Sequence, residues 1–179
     1  MSMLNALAIS IGVLAGVAMW LVLGPIGGAL QIWVVFIAWG CFYHCGGKTA
    51  GLQSTITGMA FGALLGAIAL MLITGVPMAA SIGLPLWAGI VVAPIVAVCV
   101  LAAQIPSFAV IPATVYGFAS LAGLALLTSK ASVEALTAPS LANPLVVIWL
   151  SLILGAAFGY AFEMIGIALA KPADAPAVA

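Results

Sequence analysis

The chain alternates between long apolar runs and short breaks rich in glycine, proline or polar residues. A membrane-crossing helix needs about 20 apolar residues, within a range of roughly 17–25. Six runs meet or approach that length: Leu4–Leu23, Ala29–Tyr43, Ala50–Thr74, Leu84–Ala103, Ser107–Leu127 and Pro144–Ala170. The second is short unless residues from Pro25 onward join it. Gly24-Pro25 with Gly27-Gly28, then Gly46-Gly47-Lys48, then Gly75 with Pro77, separate the first four. Pro94 and Pro112 fall inside the fourth and fifth runs and predict kinks. Pro144 opens the sixth, where proline suits the first helical turn. The pattern predicts an all-α, polytopic membrane protein of six transmembrane helices over residues 1–170. The tail 171–179, polar and rich in Pro and Ala, is expected to be disordered.

Composition changes this picture only by strengthening it. Of 179 residues, 67% are apolar and 3% are charged, against about 25% charged in a soluble domain. Too few polar groups exist to cover a water-facing surface, so lipid is the expected partner. Backbone groups in lipid must be satisfied within the protein, by helices or closed barrels. The unbroken apolar runs lack the alternation of a barrel strand. No Lys or Arg precedes the first run, so it reads as a retained span rather than a signal peptide.

Six spans place both termini on one side, together with the second-to-third and fourth-to-fifth connections. That side carries Lys48 and Lys171, and the other carries Lys130. Cytoplasmic loops hold the Lys/Arg excess, so the termini are predicted to be cytoplasmic.

Residues Gly51–Ala67, GLQSTITGMAFGALLGA, align with Phe108–Leu124, FAVIPATVYGFASLAGL, at an offset of 57. The alignment pairs Thr57 with Thr114, Phe61 with Phe118, Leu64 with Leu121 and Gly66 with Gly123. It would make a parallel helix-pair repeat, as some transporters have; chance matching of two Ala/Gly/Leu-rich helices is the alternative.

Candidate chemistry is sparse. The net charge is zero, which gives nucleic acid no electrostatic purchase. The nucleophile elbow, phosphate loop, dinucleotide fingerprint and paired carboxylates of common enzymes do not occur. No enzyme activity and no cofactor are expected. Small residues four apart, Gly58, Gly62 and Gly66 in the third run, Gly155 and Gly159 in the sixth, and Gly12 and Gly16 in the first, predict close helix packing. That packing can be within the chain or between subunits; a chain this small has little room for a pore of its own, which points to a homo-oligomer.

Glu163 is the one charge inside a run. Intramembrane carboxylates face bundle interiors or cavities and find partners. Paired with His44, it would be a protonatable gate; paired with Lys48 or Lys171, an anchor near the interface. Cys41, His44 and Cys45 share a helix face, but a fourth ligand for a metal is missing, so no metal site is assigned. Lys48, Gln53, Ser54 and Thr57 follow the Gly46-Gly47 break and form the densest polar cluster in any run, echoed by Thr114 and Tyr116. These groups could bind a small polar solute or bond neighbouring helices. Four of the tryptophans fall toward run ends, as an interfacial belt requires. Trp39 lies deeper and is a candidate constriction.

The stretch Gly40–Gly66, GCFYHCGGKTAGLQSTITGMAFGALLG, with Phe108–Gly123 and the late GAAFGYAFEMIG, resembles the YcdZ-like bacterial inner-membrane proteins, a family known as domain of unknown function 1097. The features carrying the resemblance are Cys-Gly-Gly, the third run, and Pro112-x-Thr114-x-x-Gly117. The resemblance implies a multi-span bacterial inner-membrane protein and carries no activity. The residues themselves point to a channel or facilitator for a small polar solute, lined by Gln53, Ser54, Thr57, Thr114, Tyr116 and Trp39 and tuned by Glu163, His44 and Lys48. A proton-coupled transporter and a non-transporting subunit that packs against a partner are the alternatives.

Overall fold

A computed structural model describes residues 2–26, 29–128 and 132–170. The calls on Lys130, Lys171 and the tail 171–179 lie outside the described residues. Among those described, the chain is helical throughout: α1 Met3–Leu23, α2 Ile32–His44, α3 Lys48–Gly75, α4 Ala79–Ile82, α5 Leu84–Leu101, α6 Ile111–Leu127, α7 Val133–Thr137 and α8 Pro144–Leu169. Two 3-10 turns, Ala102–Gln104 and Pro106–Phe108, bridge α5 and α6.

The helix starts follow local chemistry. Ser2 caps α1 by accepting from the Asn5 amide. Asn143 caps α8 by accepting from the Leu145 amide, and its side-chain nitrogen donates to the carbonyls of Leu136 and Ala138, 2.8 and 3.0 Å away. That one side chain fixes the angle between α7 and α8.

Two boundaries differ from the pattern-based expectation. The second helix starts at Ile32, three residues late, because the Gln31 amide is tied to Ser151 Oγ of α8 at 2.9 Å. The fifth long helix starts at Ile111 rather than Ser107, so Pro112 lies in its first turn and causes no kink. Pro94 does lie inside α5.

Four helical stretches are long and apolar enough to cross a membrane: Met3–Leu23, Lys48–Gly75, Leu84–Gln104 and Pro144–Leu169. α2 and α6 are apolar but shorter. At 13 residues, α2 extends roughly 20 Å, less than the ~30 Å of hydrocarbon.

Side-chain register gives the direction of every long helix. Gly58 of α3 meets Ala113 of α6, Gly62 meets Thr114 and Phe118, and Gly66 meets Phe118 and Leu121. The numbers rise together, so α3 and α6 are parallel. Gly155 against Val35 and Gly159 against Phe42 make α8 parallel to α2. α1 opposes α8, since Gly166 meets Leu7 while Ser10 Oγ donates to the Phe162 carbonyl at 3.3 Å. α8 opposes α3, with Trp149 Nε1 donating to the Ala60 carbonyl at 3.1 Å. Thr114 Oγ1, 3.3 Å from the Cys99 carbonyl, sets α5 against α6. Successive long helices therefore alternate in direction. The start of α1, the α2–α3 turn, the α5–α6 link and the end of α8 share one end of the bundle, called here the first end.

The centre is built by α2, α3, α6 and α8. Val34, Ala38, Cys41, Met59, Ala63, Ala113, Leu121, Ile148 and Leu152 form one buried cluster there. α1 and α5 are peripheral and the least buried of the long helices. Their exposed faces carry Leu4, Val13, Trp20, Leu86, Ile90 and Leu101, an apolar surface that suits hydrocarbon rather than water.

Candidate functional site

The α2–α3 turn starts from three consecutive residues with positive φ: Gly46 at 88°, Gly47 at 68° and Lys48 at 56°. Lys48 is the one non-glycine residue in that region among those described, and such a conformation costs of order 1–3 kcal/mol. Glu163 of α8 offsets it. Its Oε2 accepts the Lys48 backbone amide at 2.6 Å, a short charge-assisted bond at the positive end of the α3 dipole. A Cβ at Gly47 would come within 2.6 Å of Glu163 Oε1, so glycine is needed there for both φ and space. Among the described residues the carboxylate thus binds backbone rather than the Lys48 ammonium or His44.

His44 faces the other way. Its Nδ1 lies 3.1 Å from the Tyr116 hydroxyl of α6. The expected Glu163–His44 pair does not form, because α2 carries His44 toward α6 while α8 flanks the opposite side of the turn. The turn is instead clamped on two sides, by Glu163 and by Tyr116.

Gln53, Ser54 and Thr57 are brought together. With Pro106 and Ser107 they line a cleft of about 260 Å³. Thr57 Oγ1 lies 2.9 Å from the Gln53 carbonyl and 2.8 Å from that of Ser107 and can donate to either. Phe61 stacks on Phe108 at 4.5 Å beneath. Thr57 is nine residues into α3, roughly 14 Å along its axis. The irregular link 102–110, with its two 3-10 turns, therefore dips well below the start of α3. Irregular backbone at membrane depth is tolerated only where protein or a water-filled cavity receives it.

Thr114 does not join this cleft. It is fully buried, and its Oγ1 lies 2.8 Å from the Ile111 carbonyl and 3.3 Å from that of Cys99 and can donate to either. Tyr116 lies at the α2–α6 groove with His44 rather than with Gln53. Trp39 packs edge-on against Phe162, centroids 4.8 Å apart, in the seam between α2 and α8. Gly58, Gly62, Gly66, Gly155 and Gly159 all lie at crossings where a Cβ would strike the neighbouring helix. Gly12 and Gly16 meet nothing within 4 Å.

The sequence pattern did not single out Pro106, Ser107, Gln31 or Ser151. Ser107 and Gln31 act through backbone groups, which carry no residue signature. The one available signal was Pro106 and Pro112, six residues apart, which could have placed an extended link before α6.

Apolar helices of spanning length, alternating directions and a lipid-compatible exterior define the class: an all-helical, multi-pass membrane protein. Its family follows from comparison. The model of the family described as protein of unknown function (DUF1097) matches residues 8–167, and the chain belongs to that family. No curated protein and no solved structure matches it.

Proposed function

We propose that this protein moves a small polar solute across the bacterial inner membrane, as a six-span facilitator with cytoplasmic termini. The observation that carries the reading is the polar cleft of Gln53, Ser54, Thr57 and Ser107, sunk beside the irregular link 102–110. A second irregular segment, ending at Gln31, sits beside Ser151 about 10 Å into α8 from the opposite end. In this reading the cleft is one entrance of the solute path and the neighbourhood of Gln31 and Ser151 the other. Alternation of the six long helices supports six crossings, with α2 and α6 shortened by these irregular segments.

The parallel packing of α3 on α6 supports the helix-pair repeat. Met59 meets Gly117, and Gly58 meets Ala113 and Thr114, close to the 57-residue offset. Between the two entrances the seam is shut, since Met59, Thr114 and Leu121 are wholly buried. Passage therefore requires α3 and α6 to part, which makes this a gated path rather than an open pore. Glu163, as the clamp on α3, would set the gate. A proton-coupled transporter acting through that carboxylate is the second reading. Gly12 and Gly16, open on α1, suit a contact between subunits of a homo-oligomer.

The test is solute flux into proteoliposomes, followed by light scattering with urea- and glycerol-sized solutes. Flux above protein-free vesicles, reduced in Gln53→Ala and Thr57→Val, is expected. Flux equal to protein-free vesicles for every solute would leave the non-transporting subunit as the surviving reading. Uphill movement that an uncoupler abolishes would identify the proton-coupled form.

A further inference from the structure

The same turn carries a pair of thiols that the transport reading leaves unused. Cys41 and Cys45 lie one helical turn apart at the end of α2, with Sγ–Sγ 3.8 Å. Both are free; Cys41 is buried and Cys45 partly exposed. Thr55 of α3 is fully buried beside them. Its Oγ1 has no hydrogen bond of good geometry, yet it lies within reach of both sulfurs. A buried hydroxyl without a well-formed partner is costly and asks for an explanation. An open groove of about 380 Å³ between α2 and α6, bordered by Gly40 and Tyr116, reaches Cys41. Cys41 thus borders the groove, and Cys45 is partly exposed beside it.

We propose that Cys41 and Cys45 form a two-thiolate site for a soft monovalent ion, Cu(I) in kind, with the Thr55 hydroxyl against the bound sulfurs. Soft thiolates select such ions over harder divalent ones. Among the described residues no three His, Cys, Asp or Glu side chains converge to hold a metal, and His44 Nδ1 is engaged by Tyr116. The donor set is thus too small for a tetrahedral zinc site and right for a two-coordinate ion. Metal–sulfur bonds of roughly 2.3 Å hold two opposed sulfurs at about 4.6 Å, so the thiols need part by less than about 1 Å. Binding forms two metal–sulfur bonds and releases two thiol protons. The metal keeps its oxidation state, and the site gains one net negative charge beside the positive end of α3. Thr55 then donates to a thiolate, which gives its hydroxyl the acceptor it lacks.

The test is anaerobic titration of the reduced, detergent-solubilised full chain with Cu(I) against a chromophoric Cu(I) chelator, with ultraviolet charge-transfer absorbance as a second readout. One ion per chain is expected. Cys41→Ser and Cys45→Ser should each weaken binding beyond the roughly 10–100-fold that loss of an outer-shell partner costs. Thr55→Val should keep the stoichiometry and lose about tenfold in affinity. Cys99→Ser and His44→Gln should bind as the parent does. A parent that competes no better than the Cys41→Ser/Cys45→Ser double variant, with circular dichroism unchanged in both, overturns the proposal; so does loss of binding in Cys99→Ser. Flux is not a readout, so the result stands apart from the transport reading.

Discussion

Placing a methyl group on Gly62 perturbs the α3–α6 crossing at its tightest point. The new Cβ would run into the Thr114 carbonyl and lie 2.9 Å from the Phe118 amide nitrogen. Both are backbone atoms of α6, so no side-chain rotation relieves the clash and the helices must separate. Gly117→Ala makes the reciprocal collision with the Met59 carbonyl. Opening a packed seam by 0.5–1 Å forfeits about a quarter to a half of its dispersion attraction. Overpacking of this kind costs about 1–3 kcal/mol, occasionally more, and a backbone clash belongs at the upper end. We expect Gly62→Ala and Gly117→Ala each to lose about 2–3 kcal/mol, while Gly12→Ala and Gly16→Ala, which meet nothing within 4 Å, stay within about ±0.5 kcal/mol. The assay is reversible unfolding in mixed micelles, read by tryptophan fluorescence for all four variants side by side. Stability of Gly62→Ala equal to that of Gly12→Ala would refute the close α3–α6 crossing and, with it, the gate assigned to that seam.

Other consequences concern single hydrogen bonds. Glu163→Ala should destabilise by about 0.5–2 kcal/mol through loss of the cap on α3, and Glu163→Gln, which keeps an acceptor oxygen, by less; the order of the two melting temperatures checks this. Gly47→Ala should cost about 1–3 kcal/mol from its positive φ with the collision against Glu163 Oε1 added to it; a double-mutant cycle with Glu163→Ala should recover the collision part alone and leave the φ penalty in place. Ser151→Ala leaves the partly buried Gln31 amide without its acceptor and should cost about 1 kcal/mol, with faster amide exchange confined to the start of α2. Trp149→Phe removes the bond to the Ala60 carbonyl and should cost about 0.5–1.5 kcal/mol, measured by the same unfolding titration.

Much of the architecture was legible in the chain. The six apolar runs coincide with the six long helices to within a few residues, because burying the backbone in hydrocarbon leaves helix as the one economical form of a long apolar segment. The glycine ladders of α3 and α8 marked helix crossings for an equally local reason: only a missing Cβ lets two backbones approach. The third helix also presented Gln53 and Thr57 on one face, four residues apart, and the cleft uses that face.

Pairing across the bundle was not legible. Glu163 could be recognised from sequence as a charge that must find a partner, yet its partner is a main-chain amide exposed by a left-handed turn at Gly46-Gly47-Lys48. An amide carries no residue code, so side-chain chemistry alone suggested His44, Lys48 or Lys171 instead. Thr114 matched Thr57 in the alignment but differs in environment. α6 turns Thr114 into the seam with α3, whereas Thr57 looks out toward the link before α6. Sequence by itself determined that the chain is a bundle of membrane helices and which faces are smooth enough to touch. Tertiary structure decided which helices touch and where polar groups meet. Helix formation depends on neighbours a few residues away, while the meeting of Glu163 with Lys48, or of Thr57 with Ser107, depends on how helices distant in sequence are threaded past one another.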